Sequence, residues 1–364
     1  MKKSLTPTAY SVLIAGVLAT AVWVSAGDLN PPPGPIAPTQ RTPIGVNTTP
    51  GDATALFRIT QPGSYYLTGN ITGVVGRHGI AIATSGVSLD LMGFQMEGVA
   101  GSLDGIHVSD LSFGSTAVVN GSIRNWNRGT FLQGGEARVA DLRVYENVSD
   151  GLYTGNHSVV TGCIASVNGG RGIHVSGTGI ISNCDATFNT SHGISVSSNS
   201  IISNSTARLN EGAGFFTGLG CTVTNCAALN NEIAGFSLGD GNTVTHCSAS
   251  LNTGDGFLVT NDSNVRGNMC NGNGNGAGDG AGIHVTGSDN LLDGNNCTSN
   301  DRGIDVDAAG NFITRNTCSG NPTNYDVVAA NNILVVLVVD APAVLGNSGG
   351  ASPGSTDPNA NYAY

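Results

Sequence analysis

One local frame, glycine then an aliphatic or aromatic residue, recurs along this chain at a nearly fixed step, and that step restricts the fold more than any other feature. Aligned on G-[Ile/Phe]-x-[Val/Leu/Thr], the landmarks are Gly79, Gly105, Gly129, Gly151, Gly172, Gly193, Gly214, Gly235, Gly256, Gly282 and Gly303, and Asn324 continues the series. Gly172 to Gly256 is four steps of 21 residues without a slip. One unit reads "IISNCDATFNTSHGISVSSNS" (180–200). A short period made of β-compatible runs broken by Asn, Gly and Ser suits one coil of a parallel solenoid. Leucine-rich repeats have a similar period, but their leucine scaffold is missing here. Helical repeats fail on composition, with 54 glycines and only 11% charged residues. The expected fold class is all-β: a single-stranded right-handed parallel β-helix of about 11–12 coils. Stacked at the strand spacing of ~4.8 Å, it would be a rod of roughly 50 Å.

The cysteines follow the same geometry. Counting from the aliphatic residue of each coil, one inward column reads Cys163, Cys184, Ser205, Cys226, Cys247, Asn268, Asn295, Asn316. Two residues on, the other reads Ala165, Ala186, Ala207, Ala228, Ala249, Cys270, Cys297, Cys318. Parallel in-register side chains point away from disulfide geometry, so buried free thiols are expected. Cys221 falls outside both columns. Asparagine, abundant beside glycine, reads as turn punctuation that tolerates positive φ.

Residues 1–26 read as a secretory signal peptide: Lys2 and Lys3, an apolar run over 12–24, then Val24-Ser25-Ala26 before Gly27. Residues 27–55, with "NPPPGPIAPTQRTP", read as a linker, 56–340 as the β-helix with "NILVVLVV" closing it, and 341–364 as a flexible tail. Removing the two lysines takes the net charge of −11 to −13 and leaves no lysine. Such a chain has no basic patch for nucleic acid, and its remaining apolar run is too short for a membrane span. The expected location is secreted, extracellular or at the cell surface.

The coils, typified by "VVNGSIRNWNRG" (118–129) and "SHGISV" (191–196), resemble the right-handed parallel β-helices of the pectin-lyase-like superfamily over about residues 56–340. The opening "TQPGSYYLTGNITG" is similar to secreted bacterial β-helix proteins of uncharacterised type. The resemblance implies a polysaccharide partner and a substrate cleft on the outer face of the G-I-x-V sheet. The specific enzyme motifs do not carry over. "SHGIS" places His192 as in the Gly-His-Gly element of galacturonan hydrolases, but their downstream Arg-x-Lys is missing, as is the alginate-epimerase signature.

In the G-I-x-V frame Ile and Val face the core and x faces outward. The x column contains His107, Phe131, Tyr153, His174, Ser195, Phe216, Leu258, His284, Asp305 and Asp326. Beside it run His78, Asp104, Arg128, Asp150, Arg171, His192, Asp255 and Arg302. Asp104, His107, Arg128, Asp150, Tyr153, Arg171, His174, His192 and Phe216 form a candidate substrate-binding trough, or else a solvated sheet face. An uncharged stretch follows, from Ala213 through Phe216 and Phe236 to Leu258. The candidate catalytic group is His284, Arg302, Asp305 and Asp326, in which two carboxylates in register need a compensating proton, Arg302, a charged His284 or a cation such as Ca²⁺. His107 has only Asp104 near it. "NGNGNGAGDGAG" (271–282) lengthens one coil before His284, as a lid or a tolerated insertion. Two functions remain: a β-helix that binds polysaccharide or acts as an extracellular matrix component, or a lyase or glycoside hydrolase acting on an acidic glycan such as pectate or alginate.

Overall fold

A computed structural model describes residues 41–333, 336–338, 344–346 and 357–364, apart from 109 and 275–279. Every element described is a β-strand. One sheet has 14 strands, one per coil, from Ala55–Ile59 to Val344–Gly346; it is called the front sheet below. The second has 26 strands and is bent, since most coils give it a pair such as Gly179–Ser182 and Asp185–Thr187. Ile173 pairs with Ile194, Ile194 with Phe215 and Phe215 with Phe236, all in parallel, so equivalent repeat positions stack. The protein is an all-β parallel solenoid, with 14 coils among the described residues. The landmarks give two fewer because the frame does not mark either end: Phe57 pairs with Ile80, which puts Leu56 where Gly79 stands in the next coil, and Val344–Gly346 pairs with Tyr325, Asp326 and Val327 beyond the Asn324 landmark.

The interior is filled by columns of like residues. Ile173, Ile194, Phe215, Phe236, Phe257, Ile283 and Ile304 are all fully buried. Phe236 therefore belongs to the core, not the outer face: Phe215, Phe236 and Phe257 stack nearly parallel at 4.8 and 4.5 Å. Each such side chain stabilises the fold by about 1.5–3 kcal/mol through burial. From Gly79 to Gly303 glycine opens the front strands because the next coil leaves no room for a side chain. A Cβ on Gly193 would lie 2.6 Å from Asn210 Nδ2 and 2.8 Å from the Gly214 carbonyl oxygen.

That contact exposes the role of asparagine, which the turn reading misses. Asn147, Asn168, Asn189, Asn210, Asn231, Asn252, Asn273, Asn300 and Asn321 form a buried ladder. Asn189 is typical: its Nδ2 donates to Asn210 Oδ1 (2.9 Å) and to the Ala165 carbonyl (3.2 Å), and its backbone N–H also donates to Asn210 Oδ1 (3.0 Å). From Asn168 to Asn300, repeating the same residue satisfies both donors and the acceptor of each amide, which is what makes its burial tolerable. A second ladder, Asn268, Asn295, Asn316 and Asn361, takes over where the cysteine column stops.

All eight cysteines are free and buried. Burial pushes the Cys221, Cys297 and Cys318 thiols up, away from the reactive thiolate. Cys221 has its own corner column, with Ser200 and Asn242 buried on either side and its backbone N–H donating to Asn242 Oδ1 (2.7 Å).

The bent sheet turns at a column of left-handed residues: Asp141, Asn183, Asn204, Asn225, His246 and Arg315, with Gly162, Gly267 and Gly294 at the remaining coils.

Both ends differ from expectation. Thr42 and Pro43 pair with Tyr65 and Tyr66, and Ile44 and Ala55 are buried, so residues 41–55 belong to the β-helix rather than to a linker. At the other end, Asn361–Ala363 enters the bent sheet beside Thr317–Ser319 and Val336–Val338. The last residues are thus a strand, not a loose tail: Asn361 ends the second ladder, and Tyr325 Oη donates to the Asn316 (2.8 Å) and Tyr362 (3.1 Å) carbonyls. The expected signal peptide and most of the linker (1–40), and the centre of the glycine-rich insertion (275–279), lie outside the described residues. Among the described residues no helix is long and apolar enough to cross a membrane.

Candidate functional site

The front-sheet register brings the expected columns together. His107 pairs with Phe131, Phe131 with Tyr153, Tyr153 with His174 and His174 with Ser195. Five rings form one continuous row: His78 stacks on His107 at 3.8 Å and His107 on Phe131 at 5.5 Å, while Tyr153 lies tilted against Phe131 (4.8 Å, 41°) and against His174 (5.1 Å, 57°). Ser195 interrupts it. His192 and Phe216 form a separate stack at 4.7 Å.

Ion pairs flank the rings. Asp104 is almost wholly buried and accepts from Arg128 Nε (2.9 Å) and Nη2 (3.0 Å) and from His107 Nδ1 (2.8 Å). Burial opposes its ionisation, but the hydrogen bonds from His107 and Arg128 outweigh it and hold the carboxyl at about 2. Arg128 also lies 3.5 Å over the Phe131 ring. Two coils on, Arg171 donates to Asp150 from its backbone N–H (2.7 Å), Nε (3.3 Å) and Nη2 (3.1 Å). His107 is therefore not isolated with Asp104. It sits in the densest cluster of the face, and His78, absent from the expected binding group, completes it.

His78, His174 and His192 are neutral near pH 7. His78 Nδ1 accepts from the Asp104 backbone N–H (3.1 Å) and His192 Nδ1 from that of Ala213 (3.1 Å), so neither nitrogen carries a proton. Burial, then the charge of a neighbouring His107, lowers His78 to about 4. Burial and Arg171 lower His174 to about 4 and shift His192 downward. The outward slot is not always exposed: His174, Ser195 and Asp305 are 8%, 3% and 2% accessible, shielded by flanking side chains.

At the far end His284 pairs with Asp305, and Asp305 with Asp326, as the spacing implies. The hydrogen bonds run elsewhere. His284 Nδ1 donates to Asp255 Oδ2 (3.1 Å) and Nε2 to Asp307 Oδ2 (3.0 Å). Both nitrogens need a proton for this, and the Asp255 bond pushes His284 up to about 9 against the effect of burial. Arg302 Nη1 donates to Asp305, and its Nε lies 3.8 Å from Asp326. Burial raises the Asp305 carboxyl despite Arg302. Two of the four expected compensations for the carboxylate pair are thus present, Arg302 and a charged His284. Asp255 and Asp307, outside the expected catalytic group, hold the histidine. Asp307 lies one residue beyond the frame, so the repeat did not mark it.

Two groups bring three His and Asp ligand atoms within 4.8 Å of one another: His78, Asp104 and His107, and His284, Asp305 and Asp307. The second does not suit Ca²⁺, one of the four compensations considered for the carboxylate pair. That ion takes about six to eight oxygen ligands, whereas here Arg302 occupies Asp305 and an imidazolium bridges the neighbouring carboxylates.

These coils and columns define a right-handed parallel β-helix, and the comparisons agree. A family model described as a right-handed beta helix region matches residues 175–281. No curated protein matches the chain by sequence. Among solved structures the chain is similar to the A-modules of the Azotobacter vinelandii mannuronan C-5 epimerases AlgE4 and AlgE6. The TM-score is 0.61 for each, at 16% and 15% identity, over 76% of this chain and 89% and 90% of those chains. It is also similar to the Agl-KA catalytic domain, at a TM-score of 0.53 and 13% identity, over 76% of this chain and 62% of that one. At these identities the likeness is one of fold.

Proposed function

We propose that this protein is a secreted or cell-surface polysaccharide-binding β-helix whose front sheet carries the glycan. The observation that supports this most is the row of five rings from His78 to His174, edged by the Asp104–Arg128 and Asp150–Arg171 pairs. Ring faces suit the apolar faces of sugars, and half-exposed guanidiniums offer N–H donors to hydroxyls or carboxylates. Each carboxylate of the trough is held by an arginine, an arrangement suited to binding rather than to proton transfer. Two of the structurally similar proteins act, by name, on mannuronan, a reason to test acidic glycans first.

A second reading, lyase or hydrolase, draws on one observation: Asp305, raised by burial, stands beside His284, Arg302 and Asp326. Incubation with pectate, alginate and neutral glycans, with and without Ca²⁺, separates the two. Binding predicts retention without product, weakened roughly tenfold in Tyr153→Ala or Arg171→Gln. Unsaturated uronate absorbance that disappears in Asp305→Ala would overturn it.

A further inference from the structure

The bend of the second sheet carries a cluster that the front-face reading does not use. Among the left-handed residues of that bend, Asn, Asp and Gly are the usual occupants because they tolerate positive φ at least cost. Two coils break the rule, His246 (φ 55°) and Arg315 (φ 57°). Both line one cavity of about 450 Å³, together with Thr245, Arg266, Asp293 and Gly294.

Its shape follows from the column. Gly267 and Gly294 separate His246 from Arg315, and a Cβ on Gly294 would meet nothing within 4 Å. The two glycines thus leave a gap, with the His246 ring leaning over Gly267 at one end and Arg315 at the other. At its side Asp293 accepts from Arg266 Nε (2.9 Å) and from Arg315 Nε (2.7 Å) and Nη2 (2.5 Å). One buried carboxylate orients two half-exposed guanidiniums and neutralises only one of them. In a chain of net charge −11 this is a local excess of positive charge held in fixed geometry. A second cavity of about 370 Å³ adjoins the same arginines and adds Phe312, which is exposed.

We infer that this bend is a second glycan subsite, which takes the carboxylate of an acidic sugar between Arg266 and Arg315. Phe312 supplies a face for the sugar ring, and His246 closes the other end of the gap. The site lies on the bent sheet and does not depend on the front-face proposal.

His246 and His174 serve as separate reporters, one for each face. The protein is titrated with a trigalacturonate, a neutral trisaccharide and inorganic sulfate while histidine side-chain resonances are followed by NMR, with His246→Asn assigning the bend signal. Trigalacturonate is expected to shift the His246 resonance and the neutral sugar to leave it unmoved. Arg315→Asn, which installs the residue the bend column prefers, is expected to weaken that response roughly tenfold or more, as for a lost charge-assisted hydrogen bond. Its melting temperature reports that the coil remains folded. No shift of His246, or a response unchanged in Arg315→Asn, overturns the inference whatever His174 does. Sulfate binding as tightly as the uronate overturns the sugar class.

Discussion

His174 and His284 stand in the same Gly-Ile-His-Val frame, in the same column of the same sheet, yet carry opposite charge states. Burial and Arg171 hold His174 near 4, whereas Asp255 and Asp307 hold His284 near 9. The frame sets where an imidazole sits, and the coils above and below set whether it is charged. In the first region each aspartate already has an arginine, and burial together with those arginines keeps His78, His174 and His192 neutral. In the second, carboxylates outnumber arginines and the histidine becomes the missing cation.

The largest effect expected comes from removing what the two regions share. Asn189→Ala near His174 and Asn300→Ala near His284 should each cost about 2–4 kcal/mol, since buried donors lose their acceptor. Equal losses, measured by denaturant unfolding, would show one scaffold under both sites. A loss confined to one variant would break that equivalence.

A smaller effect, of opposite sign at the two sites, is expected from pH. His284, raised in the fold, stabilises it fully below the ordinary histidine value of 6.5, and that contribution fades as pH rises through about 9. His284→Gln should therefore cost about 1–2 kcal/mol at pH 6 and little above pH 9.5, after allowance for solvent screening. His174, lowered in the fold, costs stability as pH falls from 6.5 through about 4. His174→Gln should gain on the wild type over that range. Melting curves of both variants that ran parallel with pH would contradict the contrast.

The smallest effect sharpens the charged end. Asp255 is mostly buried and Asp307 mostly exposed, with side chains 14% and 59% accessible. Asp255→Asn should lower the His284 titration more than Asp307→Asn does, since solvent screens the exposed partner. NMR titration of His284 measures both; the reverse order would show that Asp307 controls the charge.

Much of this was legible in the repeat. Its period specified the coil, the inward Ile and Val positions, the free cysteine columns and the pairing of His284 with Asp305 and Asp326. The buried role of asparagine was not legible, because a repeated amide looks the same in a turn and in a ladder. Asp255 and Asp307 escaped as partners of His284 for a related reason. Position in a column reports which backbones pair, not which way a rotatable side chain reaches.

The amino-acid sequence by itself determined the solenoid and its register, because both follow from the step at which one frame recurs along the chain. Only the tertiary structure decided the protonation of each histidine, the shielding of Asp305, the return of Asn361–Ala363 into the sheet and the gap at the bend. Each depends on atoms one coil or more away, where burial and neighbouring charge act through space rather than along the chain.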